Sequence, residues 1–217
     1  MATVDIKGMI LSNEYRDYCD FYGIECFTPS KLKDALDSED DDITLNIASG
    51  GGDVFAASEI YTALKSCAKN VTANIVSIAA SAASVIAMSA DTINMSPTSQ
   101  IMIHKASSSN YGNSDSMIQE GNVLNSIDRS IALAYEMKTG MSEDDIINLM
   151  AEETWMSAKD ALDKGFADNI MFAEVAQVAN AMDNLPSLNE VRAFNSKIKQ
   201  TQEPSLRDRK LAILLEK

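Results

Sequence analysis

A run of six small residues, Ala79-Ala80-Ser81-Ala82-Ala83-Ser84, lies just downstream of the apolar stretch around 71–76, and it constrains the fold more than any other segment. A buried strand that feeds straight into a helix start made only of Ala and Ser has neighbours approaching closely, because no bulky side chain keeps them away. Around this junction the periodicity alternates. It predicts a helix over 29–36, an acidic turn over 37–42, a strand over 43–47, a glycine turn at Gly50-Gly51-Gly52 and a helix over 54–66. A strand over 71–76, a helix from the small-residue run to about 90, and short strands over 92–95 and 100–104 follow. A long helix over 114–137 has Gly140 past its end, and helices over 143–150 and 158–164 come next, the last stopped by Gly165. Residues up to about 22 read as a polar start. Strand and helix in alternation with short connections specify an α/β fold containing parallel strand pairs.

The 217 residues suit one large domain, or an ordinary domain with an extension. Charge separates the two parts: residues 1–173 carry 11 basic against 26 acidic side chains, and residues 174–217 carry 7 against 6. With the Ala/Gln/Asn-rich sequence after Phe172, and with Pro186 and Pro204, this predicts a domain over 1–173. A helical or mobile tail over 174–217 follows it, in which Leu206, Lys210, Ile213 and Leu214 line one face of a short helix that needs something to dock on. A net charge of −14 argues against nucleic acid and anionic membrane surfaces as partners. No apolar run reaches the roughly 20 residues of a membrane span, and the first residues lack a signal layout. Cys19, Cys26 and Cys67 are odd in number and without CxxC spacing, which indicates reduced thiols in a cytoplasmic protein rather than a disulfide framework or a zinc site.

Three segments bear on chemistry. Glycines between a strand and a helix present backbone N–H groups with no Cβ in the way, which suits an oxyanion or a phosphate. The phosphate reading lacks the Lys of a P-loop and has Asp53 next in the chain. A serine in the Ala/Ser run lies at a helix N-terminus, where the following amide can stabilise a developing oxyanion; the alternative is a close-packed helix whose serines bond back to carbonyls. His104 is the one histidine of the chain, hence the one candidate imidazole base, or else a packed or surface ring.

The pieces Ile47 to Ala56, Ile78 to Met88, Met102-Ile103-His104 and Glu153-Thr154-Trp155-Met156-Ser157-Ala158, in unbroken order over roughly 2–173, resemble the Clp protease proteolytic subunit (ClpP) family. They are nearest to its phage prohead, or head maturation, branch. The resemblance implies the ClpP/crotonase-like ββα superhelix with a long protruding helix. It places the nucleophile on Ser81, because counting forward to the small pair that ends the helix matches only from there; Ser84 points about 60° away round the helix. It places the general base on His104, the oxyanion amides on Gly52 and Ala82, and the triad carboxylate on Glu153, two residues before Trp155. Glu152 and Asp168 are the fallback carboxylates, and a solvated helix-end acid is the plain alternative for Glu153. The family's usual Ser-Pro-Gly-Gly is Ser49-Gly50-Gly51-Gly52 here, so the turn loses proline's stiffening.

The resemblance implies a serine endopeptidase that needs no metal or organic cofactor and works inside a homo-oligomeric ring, heptameric or stacked as a tetradecamer. The helix over 114–137 would join rings, and the polar 107–113 segment would be either a substrate-side element or an ordinary surface loop. Protein or peptide substrates, capsid and scaffold proteins, and an ATP-dependent unfoldase are the partners it suggests, in the bacterial host cytoplasm for a phage-encoded protein. Two alternatives stay open: a non-catalytic assembly protein on the same scaffold, and a crotonase-type acyl-CoA enzyme, which would leave the serine–histidine coincidence unexplained.

Overall fold

The computed structural model of the protein describes residues 2–38, 42–173 and 192. In chain order these form β1 (Ala2–Ile10), a single 3-10 turn (Asn13–Tyr15), α1 (Arg16–Tyr22), β2 (Cys26–Phe27), α2 (Pro29–Ser38), β3 (Ile43–Gly52), α3 (Val54–Ser66), β4 (Val71–Ala80) and α4 (Ala82–Ala87). Then come β5 (Thr92–Met95), β6 (Gln100–Ile103), α5 (Ser114–Thr139), α6 (Glu143–Ala151), β7 (Thr154–Ser157), α7 (Ala158–Asp163) and β8 (Asn169–Ile170). The result is the α/β plan expected, with the long helix α5 protruding: its buried residues begin at Asp128 and the half before it is solvated. The predicted tail over 174–217, with the Leu206 to Leu214 face, lies outside the described residues apart from Arg192.

The strands lie in the order β2-β1-β3-β4-β5-β8, each parallel to its neighbour. At its far end β4 also pairs with β6, and β7 adds antiparallel to β6. Along β3, β4 and β5 every second residue is buried in one core with α3 and α4: Ile43, Leu45, Ile47, Val71, Ala73, Ile75, Ile93 and Met95. The intervening residues form rows on the other face. Thr3, Thr44, Thr72 and Thr92 share one register position, and Asp5, Asn46, Asn74, Asn94 and Asn169 share the next. The second row is hydrogen-bonded from end to end: Asn169 Nδ2 donates to Asn94 Oδ1, Asn94 to Asn74, Asn74 to Asn46, and Asn46 to the Asp5 carboxylate, at 3.0–3.3 Å.

Three expectations are corrected. The polar start contains β1 and α1; in β1 the strict alternation of buried Ala2, Val4 and Ile6 with exposed Thr3, Asp5 and Lys7 is a strand signal that charged residues on the wet face obscure. The glycine triplet is no turn but the end of β3, with Gly52 paired to Ile10. The helix after the small-residue run regularises only over Ala82–Ala87 and continues to Ala90 as overlapping turns. Among the described residues no helix is long and apolar enough to cross a membrane.

Candidate active site

Ser81 is the single residue between the end of β4 and the start of α4, and the change of direction falls on it: φ is 54° and ψ −125°. A non-glycine residue in this region is strained by about 1–3 kcal/mol, so the surroundings must hold it there. They do so through the main chain. Its N–H donates to Met102 O at 2.9 Å, and its carbonyl accepts from the amides of Ser84 (2.9 Å) and Val85 (3.3 Å) and from the Ser84 hydroxyl (2.6 Å). The sharp strand-to-helix bend lifts the Ser81 side chain clear of the sheet, as a nucleophile elbow does.

β6 delivers the histidine. Its parallel register on β4 sets Met102 beside Ala80, so that His104, just past the strand's end, arrives beside Ser81. Nε2 of the half-buried His104 lies 2.7 Å from Ser81 Oγ, a full hydrogen bond. Ser84 is buried and its hydroxyl is committed to the Ser81 carbonyl and to Tyr135 Oη at 2.7 Å, so it serves the elbow and does not face the histidine.

The glycines let β3 run against this elbow. A Cβ on Gly51 would lie 2.6 Å from Ala80 O, 2.8 Å from Ser81 Cβ and 2.9 Å from Ala82 N, and one on Gly52 would lie 2.2 Å from Ile10 O. Both positions also have φ values in the range that L-residues avoid, +95° and +149°. Ser49, fully buried, was not singled out by the sequence reading. Its hydroxyl donates to Gly8 O at 2.6 Å and accepts from Gly51 N at 3.1 Å, which stiffens a segment that lacks the proline. The signal was available as a small polar residue at an apolar-facing strand position. Asp53 is a helix cap, its carboxylate accepting from the amides of Phe55 and Ala56 at the start of α3.

Gly50, Gly52, Ser81, Ala82 and His104 open onto one cavity of about 460 Å³, walled on its apolar side by Val54, Phe55, Val85, Met102 and Ile131. It therefore holds a hydroxyl and an imidazole between the glycine end of a strand and the start of a helix, an arrangement suited to acyl transfer through a serine.

The carboxylate candidates stand differently. The antiparallel register pairs Ile103 with Thr154, so the next step sets Glu153 across from His104. At Glu153, however, the chain turns with φ 50°, and the exposed side chain accepts from Trp155 Nε1 at 3.2 Å rather than reaching the imidazole. Glu152 is an exposed residue closing α6. The carboxylate of Asp168 accepts from Ile93 N at 2.7 Å and Lys138 Nζ at 2.9 Å, which ties β5 to α5 away from the cavity. The structure thus brings together Ser81 and His104, with Gly52 and Ala82 beside them, and leaves Glu153 and Asp168 on other partners and Glu152 exposed at the end of α6.

The profile of the Clp protease family matches residues 32–174. An ATP-dependent Clp protease proteolytic subunit from Pleurastrum terricola is 32% identical over 137 residues, covering 61% of this chain and 70% of its own. The proteolytic subunit from Deinococcus radiodurans is 30% identical over 141 residues, covering 63% and 69%. A solved structure, a ClpP1 mutant from Listeria monocytogenes, superposes with a TM-score of 0.65 at 23% identity over 78% of this chain and 91% of that one, a likeness of fold.

Proposed function

Because the chain belongs to the Clp protease family, we propose that it is a serine endopeptidase in which Ser81 is the nucleophile and His104 the general base. The observation that carries this reading is the 2.7 Å hydrogen bond between His104 Nε2 and a Ser81 hydroxyl held on a strained elbow.

Ser81 Oγ attacks the scissile carbonyl carbon while its proton passes to His104 Nε2. The carbonyl oxygen, now an anion, accepts from the N–H groups of Gly52 and Ala82. Collapse of this intermediate breaks the C–N bond, and the leaving amine takes the proton from His104. Water then adds to the acyl-enzyme, giving a proton to His104, and release of the acid returns that proton to Ser81. Glu153 is the triad carboxylate in this reading. Its backbone lies across from His104, one step past the Ile103–Thr154 pair, and exchange of its Trp155 hydrogen bond for one with His104 Nδ1 would hold the imidazolium.

The working form is a homo-oligomeric ring in the cytoplasm. Met117, Ile118, Val123, Leu133 and Met137, exposed apolar side chains of α5, support an interface along that helix. The motifs nearest to the phage branch point to capsid and scaffold proteins as substrates, with an ATP-dependent unfoldase as the alternative supplier. A non-catalytic assembly role is favoured only by the carboxylate's rest on Trp155.

The test joins size measurement of the purified protein to labelling with a serine-directed fluorophosphonate. A ring-sized particle that labels, with labelling lost in Ser81→Ala, is the expected result. A wild type that stays unlabelled in its assembled state would give the assembly role the case.

A further inference from the structure

Two buried polar side chains of α5 bond to segments next to the reacting pair. Asp128 is the one buried acidic side chain among the described residues, at 4% exposure, and its Oδ1 accepts from Ala106 N at 2.7 Å, two residues past His104. Tyr135, also buried, bonds to Ser84 Oγ at 2.7 Å. The direction of that second bond follows from valence. Ser84 has one hydroxyl hydrogen, and it is spent on the Ser81 carbonyl, which can only accept; the phenol of Tyr135 must therefore donate. Burial pushes the Tyr135 phenol further from ionising, so the donor is kept. The chain Tyr135 O–H to Ser84 Oγ–H to Ser81 C=O ends on the peptide unit that joins Ser81 to Ala82. That unit is planar, so fixing the direction of its carbonyl also aims the N–H of Ala82 on its opposite edge.

The two side chains stand seven residues apart, two helical turns, and so share one face of α5 about 10 Å apart along its axis. Ile131, Ala132 and Ala134 between them are buried, which makes this stretch a rigid base. We propose that Asp128 and Tyr135 are positioning residues: α5 sets the Ala82 amide through Tyr135 and Ser84, and sets the exit of the histidine strand through Asp128. This rests on the serine-peptidase reading; Tyr135 borders the cavity but is 1% exposed, and its hydroxyl is committed to Ser84.

The consequence is specific. Loosening the Ala82 amide weakens an interaction made with the oxyanion and not with bound substrate, so kcat falls while KM stays. The experiment uses the full chain with Tyr135→Phe, Asp128→Ala and Asp128→Asn, a fluorogenic peptide, thermal melting, and amide hydrogen exchange over 81–85 and 104–107. Tyr135→Phe and Asp128→Ala should each lower kcat about 10-fold or more with KM within about 2-fold. Asp128→Asn, whose amide oxygen still accepts from Ala106 N–H, should restore most of the loss. Exchange should quicken over 81–85 in Tyr135→Phe and over 104–107 in Asp128→Ala. Wild-type kcat in both variants, losses that track only the unfolded fraction, or no rescue by Asn would each overturn the proposal. If the wild type neither cleaves nor labels, the peptidase reading fails separately, and the exchange data still decide the two contacts: unchanged exchange at both segments overturns them.

Discussion

On one side of His104, the Ser81 hydroxyl lies 2.7 Å from Nε2, set there by strand register, a strained φ and a web of main-chain hydrogen bonds. On the other, the Glu153 backbone lies across the strand pair, one step past Ile103 and Thr154, yet its carboxylate rests on the Trp155 indole at 3.2 Å. The first geometry is written in the backbone and needs no side-chain rearrangement. The second depends on the torsions of a long, exposed side chain, whose alternatives differ by little energy. A fold can therefore set a hydroxyl against an imidazole through its backbone while a neighbouring carboxylate depends on a rotation for its contact.

The strongest blow to the built side is Gly51→Ala. Its methyl would press on Ala80 O, Ser81 and Ala82 N at a φ of +95°, so we expect about 2–4 kcal/mol lost in denaturant unfolding and at least about 100-fold in peptide hydrolysis. Activity near wild type would mean that the elbow tolerates displacement and that the contrast with Glu153 is overstated. On the unbuilt side, Glu153→Ala should lower kcat about 10²- to 10⁴-fold if this carboxylate serves the imidazole. Stability should stay within about 0.5 kcal/mol, since the side chain is exposed. An unchanged kcat would remove Glu153 from the triad. Trp155→Phe keeps the ring and deletes the N–H that holds the carboxylate; kcat should rise by a few-fold, at most about 10-fold, and a fall would show the indole contact to be part of the working form.

The smallest effect concerns the far end of β7. There the hydroxyl and amide of Ser157 donate to Asp160, and these bonds hold its carboxyl below the ordinary 3.8. A lowered folded value means that the cap's contribution is complete above 3.8 and is lost as pH falls through the folded value. The acid decline of the melting temperature should thus be shallower in Asp160→Asn, and identical acid branches would show that the cap does not matter to this segment.

Much of this was legible in the sequence because the constraints were local. The Ala/Ser run, the glycines and the alternation of β3, β4 and α3 announce a close-packed strand-to-helix junction, and His104 stands alone in its type. What escaped was set by tertiary pairing. β1 reads as polar until a parallel neighbour gives its alternation a dry side, and the triplet Gly50 to Gly52 reads as a turn until Ile10 lies beside it. The roles of Ser49, Asp128 and Tyr135 could not be read from spacing, since their partners are distant along the chain: Gly8, Ala106 and Ser84. The carboxylate role of Glu153 rests on resemblance alone, since its side chain bonds to Trp155 and not to His104.

The amide row across the sheet bears on how Ser81 stays aligned with the glycines at the end of β3. Sliding β4 two residues along β3 would leave every apolar side chain on its covered face, so burial by itself does not forbid the slip. Such a slide would set Asn74 against Thr44 or Ala48 instead of Asn46, breaking the line of amides in its middle, and would carry Ser81 about 6.6 Å along the strand direction. The row works like a vernier, converting an error that oil-like forces tolerate into one that polar groups reject, and in doing so it indexes the Ser81 hydroxyl, just past the end of β4, to the glycines that end β3.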